Sequence, residues 1–470
     1  MLVLVVLAVG VAAASGNGFR RRPNAIVVEN SRSGTQAWYG AAATPHAIEG
    51  YTSEVSAGPG EVVHFHVSTV PAERYRISIF RLGWYGQTGG RLMDCLPSCH
   101  GAVGGTTRPA PPPSADIAVP VRVDWPGTNA VRVPRAWTSG YYEAWFQLTS
   151  GPESGRGSAA FFIVRAPHDR HAKILVQVPV NTWQAYNDWG GRGLYSKPNQ
   201  PAGFRVSFDR PYAGGHDAAY RGDQAPLGPE IQLVRFLERN GYDVAYQTDF
   251  DTDRNPDSLL QHRLVMTAGH DEYWTSAMRD AFDTARDSGV NLAFMGANIG
   301  FWQMRYEDGG RTIVEYRRAG LDPEPNPGLK TVPFRRLNPP RPECELRGVD
   351  WWGGYGPSHD YAPVAASLSD AWFAGTGFTA DSALPGLVGN EWDFVEQGCK
   401  VPTPTVLFHF EGTPTNADAV RYQASSGALV FSAGSNWFSS GLDSFGGHHA
   451  DPRLQRFMLN ALRDLVARRS

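Results

Sequence analysis

The chain predicts an α/β fold, a mostly parallel sheet covered by helices, preceded by an all-β, immunoglobulin-like sandwich. Three observations carry that expectation. Residues of about 17 to 166 alternate apolar and polar with turn signals between the runs; from about 167 apolar strands alternate with amphipathic helices; and four successive strands end in polar clusters.

The sandwich is read from period two. "EVVHFHVST" places Val63, Phe65 and Val67 on one face, and "YRISIF" does so for Tyr75, Ile77 and Ile79. "YYEAWFQL" repeats the pattern with Tyr142, Ala144, Phe146 and Leu148, and "SAAFFIVRA" closes the series. The run "RPAPPPSAD" is a loop, because consecutive prolines donate nothing to a ladder.

After "RAPHDRHA" the pattern changes to that of a Rossmann-like or amidotransferase-like sheet. "KILVQVPV" is a continuous apolar strand, and "GPEIQLVRFLERNGYD" is a helix with Ile231, Val234, Phe236 and Leu237 inward and Gly241 as its stop. "VAYQTD", "RLVMTAG" and "VNLAFMGAN" are further strands. The helix before the last of them repeats Trp274, Met278, Ala281, Phe282 and Ala285 at helical spacing. "GALVFSAGSNWF" is a late buried strand and "DPRLQRFMLNALRDLVARR" a closing helix; the Pro-rich stretch of about 320 to 345 is an insertion looping over the surface. The domains expected are therefore 17–166 (sandwich) and 167–470 (α/β).

Composition limits the function classes. Among 470 residues, 43 Lys and Arg against 46 Asp and Glu give a net charge of -3, which offers no broad basic field and excludes nucleic acid as the expected partner. Leu2 to Ala14 form a short apolar run ending in Ala12-Ala13-Ala14, the pattern of an export signal over residues 1–16, too short for the roughly 20 residues of a spanning helix. No basic residue precedes it, and the less favoured alternative is an uncleaved anchor marked by Arg20 to Arg22. No membrane span is expected beyond this segment, and a homo-oligomer is left open. Four cysteines suit a secreted chain: Cys95 and Cys99 are close enough to bridge, leaving Cys344 and Cys399 as the second candidate pair among three connectivities.

Ligand crevices of parallel sheets lie outside the carboxyl ends of the strands. There the sequence places Asn181, Trp183, Tyr186, Asn187 and Asp188 after the first strand and Asp249 and Asp251 after the second. His270, Asp271 and Glu272 follow the third, and Asn298 the fourth. Individually each has a local explanation: helix starts collect Asp and Glu, Asp249 and Asp251 read as solvated loop carboxylates, and Asn298 between Gly296 and Gly300 suits a left-handed turn. Together they point to a site. The "GANIG" turn carries neither Cys nor Ser, which removes covalent thiol and serine chemistry there and leaves an activated water. No Cys/His spacing argues for zinc, and His64 and His66 read as a structural or surface pair.

The motifs "RLGWYGQTGGRLM", "SGYYEAW", "NTWQAYNDWGGRGLY", "VSFDRPY", "GHDEYW" and "MGANIGFWQ", in that order, resemble the large subunit of bacterial N,N-dimethylformamidase over roughly residues 60 to 470. The resemblance implies a mononuclear Fe(III) held by two tyrosines and a glutamate, with a histidine and an asparagine nearby, hydrolysing a small amide. Carried onto this chain, the glutamate is Glu272, the histidine His270 and the asparagine Asn298. The tyrosines fall on Tyr186 and Tyr142, with Tyr195 and Tyr141 as close competitors; Asp271 joins His270 and Asn298 as a candidate catalytic group. Phenolate and carboxylate are hard oxygen donors that suit a ferric ion, and a bound ion keeps phenols deprotonated below their free pKa of about 10. Set beside the formamidase subunit, the sequence is shorter and is expected to lack its lectin-like N-terminal part, and the substrate is left open. The expectation is an exported metal-dependent amide hydrolase. Its rivals are a non-catalytic extracellular protein that binds carbohydrate or another ligand, and, more weakly, a glycosidase using Asp271 and Glu272, whose adjacency suits that chemistry poorly.

Overall fold

The computed structural model describes residues 23–213, 227–228 and 230–467. The export segment predicted at 1–16 lies outside them. Strands β1 (Ile48–Thr52), β2 (Val62–Thr69) and β5 (Asn129–Arg132) form one sheet in the order β1-β2-β5. The second sheet joins β3 (Arg74–Leu82), β4 (Gly90–Leu96), β6 (Gly140–Leu148) and β7 (Gly157–Val164) in the order β7-β6-β3-β4. The residues predicted to share faces, Val63, Phe65 and Val67 with Tyr75, Ile77 and Ile79, meet Tyr142, Ala144 and Phe146 in one core. The opposite parity of β6 and β7 is buried too: Tyr141, Trp145, Phe161 and Ile163 belong to the core of the large sheet.

That large sheet overturns the predicted fold class. Its nine strands run in mixed directions, strands outweigh helices among the described residues, and the mostly parallel, helix-covered Rossmann-like sheet does not form. One half is parallel: β8 (Ile174–Val178) lies between β9 (Val244–Thr248) and β10 (Leu264–Ala268), followed by β11 (Asn291–Met295) and β16 (Leu429–Ser432). The other half is antiparallel: β15 (Ala417–Gln423), β14 (Thr405–Phe410), β12 (Asp350–Pro363) and β13 (Leu384–Phe394). Helix α1 (Val180–Tyr186) follows β8, α2 (Ile231–Arg239) precedes β9, α3 (Ser276–Asp287) precedes β11 and α4 (Pro452–Leu465) closes the described chain. The alternation extrapolated from β8 to β11 stops there, because loops, short strands and helical segments of three or four residues fill the chain from Gly296 to Arg347.

The antiparallel half turns back on the parallel one. A bridge pairs Trp392 with Ser435, Asn436 N donates to Glu391 O at 3.2 Å, and Asp393 N donates to Gly434 O at 2.9 Å, so β13 runs beside the segment leaving β16. The Pro-rich insertion is partly interior: Val332 and Phe334 are buried, and Phe334 N donates to Phe301 O at 2.9 Å. Cys95–Cys99 and Cys344–Cys399 form the disulfides, as the spacing suggested. No helix among the described residues is long and apolar enough to cross a membrane.

Candidate active site

The site lies where the loops after β8, β10 and β11 meet β13. Two glycines allow the loops after β10 and β11 to touch: Gly269 takes φ 57°, and a Cβ on Gly296 would lie 2.1 Å from Gly269 O, inside any van der Waals contact. The β10 loop is then held in register, since Glu272 N donates to Thr182 Oγ1 of α1 at 2.9 Å and Trp302 N donates to Glu272 O at 3.1 Å.

Glu272 is the focus. Its carboxylate accepts from Tyr186 Oη at 2.8 Å, from Tyr195 Oη at 3.0 and 3.1 Å, and from Asn298 Nδ2 at 3.2 Å. His270 Nε2 lies 3.6 Å from Glu272 Oε2 and 3.2 Å from Glu391 Oε2. Burial pushes the Glu272 carboxyl up to about 7, with the Glu391 carboxylate acting in the same direction and His270 against it. Burial also drives the Tyr186 and Tyr195 phenols well above their usual value, with Glu272 adding to the shift.

The tyrosines are placed by a rigid loop. Tyr186 ends α1, and Tyr195 returns to stack on it with ring centroids 4.3 Å apart and 16° between planes. Arg210, fully buried, holds that return by donating to Gln184 Oε1 at 3.0 Å and to the carbonyls of Arg192 and Asn187, each at 2.6 Å. Asn298 combines two roles that the sequence set against each other. It takes the left-handed turn, with φ 54°, and that turn aims its amide at Glu272.

Of the residues singled out from sequence, Tyr186, His270, Glu272 and Asn298 come together. Tyr142 does not: its ring stacks on Trp137 at 4.9 Å in the sandwich core, and its hydroxyl donates to Thr138 O at 2.9 Å. Tyr195, the close competitor, occupies the place proposed for Tyr142, because the parity of β6 turns Tyr142 away from the large sheet. Tyr141 faces that sheet but donates to Glu230 at 3.0 Å. Asp271 also points elsewhere: its oxygens accept from Gln177 Nε2 at 2.7 Å and Trp274 Nε1 at 2.8 Å, within the protein interior. Successive residues of an extended segment face opposite ways, so Glu272 and Asp271 cannot share a site. Asp249 and Asp251, expected in solvent, are buried in the first turn of a short helix, where Thr248 is the N-cap and the Asp251 carboxylate accepts from Thr248 N.

Glu391 escaped the sequence reading. It lies in "GNEWDF", inside β13, beside Asp393, whose Oδ1 accepts Asn298 N at 2.9 Å. The available signal was two acids two residues apart around a tryptophan, both facing one side of a strand. Chemically, two phenol oxygens and a carboxylate within hydrogen-bond reach form an all-oxygen set of the kind that holds a hard cation, and the buried Asn298 Oδ1 faces no hydrogen-bond partner among the described residues.

A family model described as "N,N-dimethylformamidase beta subunit-like, C-terminal" matches residues 76–452. The chain belongs to that family. Among curated proteins, the N,N-dimethylformamidase beta subunit of Alcaligenes sp is 29% identical over 94 residues, and that of Paracoccus aminophilus 27% identical over 93. Each match covers 20% of this chain and 12% of the formamidase subunit, so the similarity to those two proteins is local. The family match takes in every residue of the Glu272 cluster.

Proposed function

We propose that this chain is an exported, metal-dependent hydrolase of the carbon–nitrogen bond of small amides. Glu272, Tyr186 and Tyr195 would hold a ferric ion. The observation that carries the reading is the convergence of two partly buried phenols on one buried carboxylate at 2.8 to 3.1 Å, in a chain of the dimethylformamidase family. When bound, such an ion supplies a Lewis acid that polarises the amide carbonyl and acidifies water.

The rest falls to the chain's own groups. His270, with Nε2 3.2 Å from the Glu391 carboxylate, is oriented to take a proton from the attacking water, and Glu391 stabilises the imidazolium that results. Asn298 Nδ2, fixed by its left-handed turn, is the donor placed to meet negative charge developing on the carbonyl oxygen. Burial excludes bulk water and strengthens each of these interactions. The two disulfides support a site of action in an oxidising compartment.

Metal analysis of the purified protein tests the reading. About one iron per chain and turnover of N-substituted formamides are expected, with Glu272→Ala losing the iron and at least about 1,000-fold in rate while staying folded. Absence of any co-purifying transition metal, together with no phenolate-to-metal colour on adding ferric citrate, would sink it. Retained ligand binding without turnover in either form would instead favour the binding-protein alternative.

A further inference from the structure

Behind Tyr195 lies a second group of polar residues, buried or half-buried, that the proposed chemistry does not use. Tyr273, completely buried, donates from its hydroxyl to Tyr195 Oη at 2.6 Å. Arg317 Nη2 in turn donates to Tyr273 Oη at 3.4 Å, while the guanidinium carbon sits 4.5 Å from the centroid of the Tyr195 ring. Arg317 is held there by its backbone: it takes φ 63°, a left-handed conformation that a branched or long side chain seldom adopts, and its N donates to the buried Glu315 Oε1 at 2.9 Å. The guanidinium also lies over Trp302, at 5.7 Å, but nearest to Tyr195, and strain at a non-glycine residue that places a cation there needs a reason. Tyr186, stacked on the other face of Tyr195, has no cation over its ring among the described residues.

We infer that Tyr273 and Arg317 are positioning residues that make the two phenol ligands unequal, holding Tyr195 as the weaker donor and leaving Tyr186 as the stronger. The inference rests on the metal-holding reading of Glu272, Tyr186 and Tyr195. A hydrogen bond donated to a phenolate oxygen, reinforced by a cation over the same ring, draws electron density off that oxygen. An ion held by Glu272, Tyr186 and a weakened Tyr195 would be the stronger Lewis acid. Outer hydrogen bonds of this type orient and tune ligands in metal sites generally.

The experiment loads wild type, Tyr273→Phe and Arg317→Met with ferric citrate and records the phenolate-to-iron charge-transfer band, the resonance Raman phenolate C–O stretches and the iron affinity by chelator competition. The wild type is expected to show two distinct C–O stretches. In Tyr273→Phe they should draw together, the band should move to longer wavelength, and iron should be held no more weakly, because Tyr195 is then the stronger donor. Arg317→Met should move the band the same way, with Arg317→Lys partly restoring it. An unchanged band and an unchanged pair of stretches in both variants, alongside a wild type that binds iron, would overturn this inference and leave the proposed function standing. A wild type with no phenolate band would overturn both. Should Tyr273→Phe fold poorly, Arg317→Met gives the same reading, because it leaves Tyr273 in place.

Discussion

The two halves of the nine-stranded sheet contribute to the site in different ways. The parallel half delivers Tyr186, His270, Glu272 and Asn298 from loops at the carboxyl ends of β8, β10 and β11, as such sheets do by construction. The antiparallel half delivers Glu391 and Asp393 from within a strand, through the return of β13 along the segment leaving β16. The contrast teaches a division of labour: loops gather the oxygen donors, whereas a strand carries the group that acts on the histidine. Loops can be built around a ligand, but a strand fixes a carboxylate to a backbone that cannot shift without disturbing its ladder.

Removing the strand's contribution gives the largest effect that separates the two halves. Glu391→Gln keeps the shape of β13 and deletes the charge beside His270. Turnover should fall by about 100-fold or more while iron content stays near that of wild type, measured by steady-state kinetics and metal analysis on the same preparation. If iron were lost along with turnover, the antiparallel half would be holding the ion, and the division would collapse.

That same boundary separates what was legible in the sequence from what was not. The strands β8 to β11 announce themselves as short apolar runs between helical patterns, and the motif "GHDEYW" falls at the end of one. The antiparallel strands do not. β12 contains Gly353, Gly354, Gly356 and Pro357, which read as turn residues, and its ladder with β13 is interrupted by register shifts, so no clean alternation survives. Local pattern also cannot state strand direction, and an apolar run such as "GALVF" looks alike in either setting. Glu391 was therefore hidden with its strand. Tyr142 was lost for a different reason: the motif matched, but a strand pair such as Tyr141 and Tyr142 sends its side chains to opposite faces, and only the three-dimensional arrangement says which face meets the site.

A second, smaller effect examines the seam between the sandwich and the parallel half. Glu230, at the start of α2, accepts from Tyr141 Oη of the sandwich at 3.0 Å and from Trp183 Nε1 of α1 at 2.8 Å. Burial pushes its carboxyl up to about 8 from an ordinary 4.5, although both donors pull the other way. The folded chain thus holds a proton on Glu230 that the unfolded chain releases above about 4.5, so stability from this group is complete below that pH and is lost as pH rises toward 8. The slope from one such group is at most about 1.4 kcal/mol per pH unit. Urea unfolding between pH 5 and 8 should show Glu230→Gln flatter than wild type. Asp271 and Glu272, both raised to about 7, leave part of the slope in place. Identical slopes in the two proteins would mean that the seam carries no protonated carboxyl.

The smallest expected effect sharpens the comparison at its most exposed point, the choice between tyrosines. Tyr142→Phe removes one hydrogen bond, to Thr138 O, and leaves the stack on Trp137 and the packing on Phe162 intact. Thr138 O keeps a donor, because Arg81 Nε reaches it at 3.3 Å, so the cost should lie near about 1 kcal/mol or below. Iron content and turnover should be those of wild type. Tyr195→Phe, a change of the same single oxygen atom, should lose iron and activity together, since that oxygen stands 3.0 Å from Glu272 instead of in the sandwich core. The pair of substitutions is matched in chemistry and differs in where the ring sits, Tyr142 fully buried in the sandwich and Tyr195 half-buried beside Glu272. Loss of iron from Tyr142→Phe with Tyr195→Phe unaffected would reverse the assignment of the second phenol and return the sandwich to the site.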